Sequence, residues 1–447
     1  MFSISPNHEQ NTSDCILCPQ FKKNTRTRMK SSSIRGTLQS HEANTPVHPV
    51  MPSGRQLEHM DAEAVIIGGM VLDIHATPSI HANPGTTTPG KVYYVQGGVA
   101  RNVAECMSKL GAKPYMISAL GFDMAGNLLL EQWKTAGLST EGILKNKDIE
   151  TPVVCNIFDI NGEVAAGVAS VEALEKYLTP DWILRYKSTL LSAPVLMVDA
   201  NLSGPSLETS CKMAVDTGCP VWFEPVSVTK SRRISSIAKY VTFASPNEDE
   251  LIAMANALSG SDEFRPLKEN HKKDNLSAGS FFQILKPAAL VLLENGIKVV
   301  LVTLGSNGVF LCSKGGTSCF KTPLAKTNRS GFSGQLYKAV MQNFPPNCYS
   351  GFSEPDSSNR LFAVHFPSLP ASVVRLTGAG DCLVGGTLAS ICAGLDIMQS
   401  VSVGIAVAKA AVEVEANVPS SFSLAAIADD AKSVFCNAKM LFHQSML

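Results

Sequence analysis

Short apolar runs, each long enough for one buried strand, recur along the chain and alternate with longer segments of helical periodicity. The first run is AVIIGGM at 64–70, and the others lie at 114–120, 195–198, 221–223, 241–244 and 299–304. Helical patterns between them occupy 99–110, 126–136, 207–217, 248–258 and 281–294. Because strands that alternate with helices form parallel sheets covered on both faces, this pattern predicts an α/β protein with a mainly parallel central sheet.

Two stretches, 91–95 and 153–169, break this pattern with alternating residues typical of short strands. Within the second, Asn161 and Gly162 indicate a hairpin turn. Open α/β sheets bind ligands beyond the carboxyl ends of their strands. We therefore interpret 86–96 and 150–170 as strands of a small β lid over that edge.

The sequence predicts one folded domain, 61–440, flanked and interrupted by segments of different composition. Residues 1–60 are polar and basic without hydrophobic periodicity, which fits either an organelle-targeting segment or a disordered extension, and we favour disorder. Segment 320–372 is rich in Gly, Pro, Ser and Asn and is too long for an ordinary loop, so we interpret it as an insertion. Residues 441–447 are expected to form a C-terminal tail.

Charge and composition exclude several classes of function. The formal net charge is zero, which gives no general attraction to nucleic acid or to anionic membranes. Charged and polar residues interrupt the longest apolar runs well before the ~18 residues that a membrane span needs. Most of the 12 cysteines lie within apolar patterns, as reduced thiols do in intracellular proteins, and the pair Cys15 and Cys18 lacks a second pair for a metal site.

The segment TGAGD at 377–381 carries the strongest chemical signal, because it immediately precedes an apolar run that fits a buried helix. Glycines at a helix start let backbone amides approach an anion, and the helix dipole adds partial positive charge there. The carboxylate of Asp381 in the first turn could then accept a proton from an attacking hydroxyl. The alternative is an ordinary glycine turn in which Asp381 caps the helix.

A second glycine motif, GGVARNVA at 97–104, again places a glycine pair before a helix with Asn102 one turn in. Together the two motifs resemble the paired signatures of the ribokinase-like (pfkB) carbohydrate kinases, over residues 64–435. The resemblance implies a three-layer sandwich with a β-strand lid and transfer of a phosphoryl group from ATP with Mg²⁺. It also implies roles for residues in these two motifs and in three further segments. The further segments are GGMVLD at 68–73, PNEDE at 246–250 and TLGSNG at 303–308.

These implied roles fall into four groups. Asp381 resembles the catalytic base, and the amides of Gly378, Ala379 and Gly380 resemble the anion hole. Ribose contacts would come from Asp73, Gly97, Gly98 and Asn102. Asn247, Thr303, Gly305 and Gly308 would contact the nucleotide. Glu250 would organise Mg²⁺, although a solvated charge on a helix face is the alternative for this residue.

One position departs from the family pattern. Arg375 and Leu376 stand where these kinases usually carry Asp and Thr before the glycine turn. In related enzymes that Asp helps to hold a monovalent cation, so we do not expect potassium activation of the usual kind.

Further segments resemble the kinases of this family that phosphorylate the 5′-hydroxyl of pseudouridine. They are NPGTTTPGK at 83–91, DANL at 199–202, which contains the candidate substrate residue Asn201, and EPVS at 224–227. Thr151 and Asn156 in the lid are candidate contacts to the base, with polar positions on a solvated strand face as the alternative. A kinase for inosine, adenosine or ribose, or a non-catalytic scaffold of the same fold, remains open.

Two expectations concern assembly and location. The lid would expose strand edges and apolar faces, so we expect a homodimer through residues near 91–95 and 153–169. The final residues SML resemble the SKL peroxisomal signal with Met in place of Lys, which favours the peroxisome over the cytosol or a plastid.

Overall fold

The computed structural model describes residues 64–83, 85–160, 164–265, 277–314, 333–344 and 360–445. Its strands, in chain order, are Val65–Ile67 (β1), Val71–Pro78 (β2), Gly90–Gly97 (β3), Tyr115–Gly121 (β4), Ile143–Asn146 (β5), Val153–Phe158 (β6), Val164–Ser170 (β7), Leu196–Asp199 (β8), Val221–Glu224 (β9), Phe243–Ala244 (β10), Val299–Thr303 (β11), Val309–Lys314 (β12), Arg360–Phe366 (β13) and Lys439–Ser445 (β14).

The helices of the same residues are Val99–Lys109 (α1), Met124–Thr135 (α2), Ala173–Tyr177 (α3), Pro180–Leu184 (α4), Lys187–Ser192 (α5), Gly204–Asp216 (α6), Val228–Ser231 (α7), Glu248–Ser259 (α8), Ala278–Glu294 (α9), Ser333–Asn343 (α10), Ala379–Cys392 (α11), Ile397–Val412 (α12) and Leu424–Cys436 (α13). Short 3₁₀ turns occupy Arg232–Ser236, Ala238–Tyr240 and Gly305–Asn307.

A ten-stranded central sheet has the order β14-β13-β12-β11-β10-β9-β8-β1-β4-β5. The seven strands from β11 to β5 in this order run parallel, whereas β12, β13 and β14 join antiparallel at one edge. The prediction of a mainly parallel central sheet is therefore confirmed.

Alternate residues of each strand enter cores on opposite faces of this sheet. Ile66 packs with α1, α11, α12 and α13, whereas its neighbours Val65 and Ile67 pack with α6, α8 and α9. Strands buried on both faces explain why these segments read as continuous apolar runs rather than as polar–apolar alternation. The result is the three-layer α/β sandwich that the sequence predicted.

The smaller sheet has four strands in the order β3-β2-β6-β7. Strand β2 pairs antiparallel with β3 and parallel with β6, and β6 pairs antiparallel with β7. The sequence predicted strands at β3, β6 and β7 but did not separate β2 from the first strand of the central sheet. The predicted turn at Asn161–Gly162 lies outside the described residues.

The pairing register defines two faces of this lid. Asp73 pairs with Val154 and His75 with Asn156, so these four residues share one face. The opposite face contains apolar side chains that are exposed: Val92, Tyr94, Ile157 and Val168.

Two segments contribute more to the fold than composition suggested. Within 320–372 the structure describes α10 and β13, and β13 lies in the central sheet between β12 and β14. Strand β14 includes residues 439–445, which overlap the expected tail. Residues 1–60 and the last two residues lie outside the described part of the chain. Along the described residues, no helix is long and apolar enough to cross a membrane.

Candidate active site

Helix α11 begins at a turn that requires glycine. Gly378 has a φ of 86°, in the left-handed region, and a Cβ atom there would lie 2.2 Å from the backbone oxygen of Asn417. By contrast, a Cβ atom at Gly380 would meet none of the described atoms within 4 Å. The first-turn amides of a helix have no partner within the helix, so this open side suits an anion. The Ala379 amide is partly engaged, since it donates to the Leu376 carbonyl at 3.2 Å.

Asp381, in the first turn of α11, is half-buried and bonded to α1. Nδ2 of Asn102 donates to its Oδ2 at 2.6 Å. Burial raises the pKa of Asp381 from 3.8 to about 7; Asn102 and Arg101 oppose this shift, and the carboxylates of Asp199 and Asp73 add to it. A carboxyl group with a pKa near neutrality is well matched to general base catalysis.

Asp73 extends from β2 over the backbone of β3. A Cβ atom at Gly97 would lie 2.1 Å from Oδ2 of Asp73, so only glycine leaves room for this carboxylate. Burial raises the pKa of Asp73 to about 6, and Arg101, Asn417 and Arg375 oppose the shift. The carboxylate therefore ionises just below neutral pH and can then accept hydrogen bonds from hydroxyl groups.

The start of α1 packs against the loop after β1. Gly98 has a φ of 94°, and a Cβ atom there would lie 2.4 Å from the Gly69 carbonyl oxygen. This close approach fixes the first turn of α1, in which Asn102 donates its amide to the Gly98 carbonyl at 2.8 Å. The structure thus brings Asp73, Asn102 and Asp381 to one pocket, although their motifs lie far apart in the chain.

Asn201 lies beside this pocket at the end of β8. Its Nδ2 donates to Oδ2 of Asp199 at 3.0 Å, and its Oδ1 accepts from Nζ of Lys230 at 2.6 Å. Asp199 is fully buried and also accepts the Gly69 amide at 2.9 Å. The side-chain amide of Asn201 therefore has a fixed orientation next to the loop that carries Gly69.

Asn247 and Glu250 form a reciprocal capping box at the start of α8. Oδ1 of Asn247 accepts the Glu250 amide at 2.8 Å, and Oε2 of Glu250 accepts the Asn247 amide at 2.9 Å. Glu250 is buried, which raises its pKa, so it is not a solvated charge on a helix face. Asn247 also forms an isolated bridge with Thr303, which joins this cap to the end of β11.

The turn after β11 contains the remaining predicted residues. Gly305 and Gly308 have φ values of 57° and 88°, and a Cβ atom at Gly308 would lie 2.0 Å from the Phe366 oxygen. Residues after β13 hold the turn, since Oγ of Ser368 donates to the Ser306 carbonyl at 2.6 Å. An open cleft beside this turn is lined partly by Phe281 on α9 and by residues that follow β13, including Ser368.

The sequence of most of the domain matches a known family. The model of the pfkB family of carbohydrate kinases matches residues 61–328 and 357–421. The chain belongs to this family.

Similar proteins agree with this assignment. Over 386 residues, which are 86% of this chain and 100% of the relative, the sequence is 56% identical to pseudouridine kinase from Arabidopsis thaliana. It is 24% identical to pseudouridine kinase from Escherichia coli strain K12, over 59% of this chain and 77% of that protein. The structure of Arabidopsis thaliana ribokinase complexed with ribose and ATP superposes with a TM-score of 0.59 at 19% identity, covering 83% of this chain and 99% of that one. This last likeness supports the ribokinase-like fold.

The two lid residues proposed as base contacts differ in environment. Thr151 is buried: its amide donates to Oδ2 of Asp123 at 2.8 Å, and its hydroxyl accepts the Gly121 amide at 2.9 Å. It therefore ties the lid to the end of β4 and is not on a solvated strand face. Asn156 is half-buried and lies on the Asp73 face of the lid. Of the two, Asn156 is the one placed on the pocket side of a strand.

Three charged residues of this pfkB kinase were not singled out from sequence. Arg101 lies within the GGVARN motif and borders both Asp73 and Asp381. Lys230 contacts Asn201. Glu224, at the end of β9, accepts the Ser245 hydroxyl at 2.5 Å, and burial together with nearby Glu250 raises its pKa well above the usual value. The sequence offered one signal for them, which was their location. Arg101 and Glu224 lie within segments that resemble the family, and Lys230 follows closely after the segment that contains Glu224.

Proposed function

We propose that this chain transfers the terminal phosphoryl group of ATP to the 5′-hydroxyl of pseudouridine. The observation that carries the proposal is the pairing of Asp381 with the open first turn of α11, in a chain that is 56% identical to a pseudouridine kinase along that relative's whole length. A non-catalytic scaffold has no chemical need for a carboxyl group held at a pKa near 7.

The pocket residues give the nucleoside one orientation. The carboxylate of Asp73 and the amide of Asn102 can bond ribose hydroxyls, while the glycines at 97 and 98 let the sugar approach the backbone. Asn201, which Asp199 and Lys230 hold in a fixed orientation, offers a further polar group. A ribose held at these points directs its 5′-hydroxyl towards Asp381.

Asp381 then acts as the general base. It accepts the proton of the 5′-hydroxyl while that oxygen bonds to the γ-phosphorus, and the bond from the γ-phosphorus to the bridging oxygen of ADP breaks. The transferred group would then lie against the Gly378–Ala379–Gly380 turn on the open side at Gly380, where the Gly380 amide is the nearest donor and the Ala379 amide is partly engaged by Leu376. Their partial positive charge stabilises the charge on its oxygens.

The nucleotide side of the proposal includes Mg²⁺. Glu250 lies close enough to Glu224 to raise the pKa of that carboxyl group; Glu224 accepts the Ser245 hydroxyl, and Glu250 accepts the Asn247 amide. Such hard oxygen donors fit a divalent cation. The described residues contain no cluster of three acids, histidines or cysteines that could enclose a metal, so these groups would hold Mg²⁺ through water and phosphate oxygens. When bound, Mg²⁺ neutralises phosphate charge; Asn247 and the 303–308 turn would orient the phosphates.

A dimer through the lid is the second part of the proposal. The face of the lid opposite Asp73 exposes Val92 and Tyr94 of edge strand β3 to about 60% each and Val168 of the other edge strand, β7, to 75%. An apolar face of this kind is typical of a surface that a second copy covers. Val168→Glu should convert a dimer to monomers in sedimentation at micromolar concentration, whereas wild-type protein that is already monomeric would contradict the proposal.

An ADP-release assay over several acceptors tests the function. Pseudouridine should give the highest kcat/KM among pseudouridine, uridine, inosine, adenosine and ribose, and Asp381→Asn should lower the turnover of all of them by roughly 10²–10⁴-fold. Preference for another acceptor would assign the chain to a different substrate within the family, and no transfer to any acceptor would favour a scaffold.

Peroxisomal targeting remains a proposal based on the terminal sequence. A fluorescent protein fused ahead of the full chain should enter peroxisomes, and removal of the final SML should release it to the cytosol. Uptake into plastids from the other terminus would indicate that residues 1–60 carry the signal.

A further inference from the structure

Arg101 is the most extensively bonded side chain near the pocket. It is only 3% exposed, and its guanidinium donates to the Gln96 and Gly97 carbonyls at 2.9 Å each. It also donates to Oε1 of Gln96 at 2.9 Å and to Oε2 of Glu105 at 2.5 Å. A further bond reaches Oδ1 of Asn102. This guanidinium therefore joins the end of lid strand β3 to the first turns of α1.

The bond to Asn102 decides the orientation of that side chain. A guanidinium has donors but no acceptor, so the atom of the Asn102 amide group that faces Arg101 must be the oxygen. The amide nitrogen then faces the other way, where it donates to Asp381 at 2.6 Å. Without Arg101, the Asn102 amide group could rotate and present its oxygen to the carboxylate, which would repel it.

We propose that Arg101 is a positioning residue for phosphoryl transfer, which fixes the Asn102 amide and through it the carboxylate of Asp381. This inference rests on the proposed function, because it gives Arg101 a role in the activity of the base. Nothing in the sequence motif alone distinguishes this role from that of a surface arginine.

The charge of Arg101 contributes separately from its geometry. The groups that act on Asp381 come from four elements: Arg101 and Asn102 of α1, Asp73 of β2, Asp199 of β8 and Glu224 of β9. Three of these are carboxylates, and Arg101 is the positive charge among them. Neutralising Arg101 leaves the base among like charges, so its proton would be released only at higher pH.

Three substitutions separate geometry from charge. Arg101→Lys keeps the charge but loses the fork that reaches several acceptors, so kcat should fall about tenfold with the pH profile unmoved. Arg101→Met loses both, so kcat should fall about 100-fold and the acidic limb of the kcat profile should move up by about 1 pH unit. KM for ATP should stay unchanged in both. Lys109→Met is the matched control, because Lys109 also bonds Glu105 but lies farther along α1 from Asn102, and this variant should behave as wild type.

Arg101→Ala provides a chemical rescue. Arg101 lines an open cleft between β3 and segment 415–420, so a guanidinium ion in solution can reach the space that the side chain leaves. Guanidinium at concentrations well below those that unfold proteins should restore part of kcat in Arg101→Ala, and sodium should not. A residue with a purely structural role would show lower thermal stability without this rescue and without a displaced pH limb.

The outcomes separate the two levels of the proposal. If wild-type protein phosphorylates no nucleoside, the proposed function fails. If wild type is active and Arg101→Lys retains full kcat, or Arg101→Met keeps the wild-type acidic limb, Arg101 does not position the base and this inference fails. Should Arg101→Met not fold, the kcat of Arg101→Lys and the rescue of Arg101→Ala decide.

Discussion

Asp381→Asn should lower activity and raise stability at the same time. Removal of a positioned base costs roughly 10²–10⁴-fold in rate, so kcat for the nucleoside should fall by that factor. The new side chain has nearly the same shape, and its carbonyl oxygen can still accept the 2.6 Å bond from Asn102. Loss of activity would therefore follow from the missing base rather than from a changed fold.

The stability gain follows from the raised pKa of Asp381. Its value is 3.8 when unfolded and about 7 in the folded protein, so the folded state binds the proton more tightly. The carboxyl group therefore destabilises the fold progressively as pH rises from 3.8 to 7, by at most about 4 kcal/mol above pH 7. At pH 5 this destabilisation of the fold is only about 1.6 kcal/mol. Asparagine, which does not ionise, removes this penalty.

Urea unfolding of both proteins at pH 5 and pH 8 measures this difference. At both pH values the free energy of unfolding of Asp381→Asn should exceed that of wild type. This excess should be about 2–3 kcal/mol larger at pH 8 than at pH 5. Wild-type kcat should decline as pH falls through 7, because the base is then protonated. An equal stability change at both pH values, or a wild-type rate independent of pH between 6 and 8, would refute the reasoning.

Three other substitutions test separate parts of the site. Gly378→Ala should lower the melting temperature and kcat, because its φ and the neighbouring carbonyl exclude a side chain, whereas Gly380→Ala should fold normally and lose only activity. Glu250→Gln should keep the capping box, and hence stability in urea, while the Mg²⁺ concentration for half-maximal rate rises at least several-fold. Arg375→Met removes a charge that lowers the pKa of Asp73, so the KM for the nucleoside should rise more at pH 6 than at pH 8. Equal effects at the two pH values would exclude that electrostatic link.

The sequence predicted the parts of the fold that depend on local patterns. Strands buried on both faces are continuous apolar runs, so β1, β8, β9 and β11 were located directly. The glycines at 98 and 378 were recognised as parts of glycine motifs that precede helices, and the structure explains the requirement, because φ is positive and a carbonyl lies close at both positions. Bringing Asp73, Asn102 and Asp381 together required the resemblance, since no local pattern relates positions about 300 residues apart.

Other features could not be predicted because they depend on contacts between distant segments. Strand β13 contains the apolar run LFAV at 361–364, but the polar residues around it obscured the signal; the strand pairs with β12 and β14, and its side chains enter the cores on both faces of the sheet. The buried state of Arg101 depends on carbonyls of β3 that turn towards it. The capping box of Glu250 was visible as Asn-x-x-Glu, but the motif alone did not distinguish a cap from a phosphate organiser.

Five carboxyl groups at the same edge of the sheet have raised pKa values: Asp73, Asp199, Glu224, Glu250 and Asp381. Burial is the largest cause for each, and nearby carboxylates add to the shifts of Glu224, Glu250 and Asp381, so each further negative charge in the ligand-free site is unfavourable. A polyphosphate entering this site alone would add to the repulsion, whereas one that arrives with a divalent cation would relieve it. Under the proposed function, we therefore expect the metal–nucleotide complex to bind in preference to the free nucleotide. Burial, with a smaller contribution from nearby carboxylates, raises the pKa of the base Asp381 to about 7, and Asn102 and Arg101 keep it from rising further.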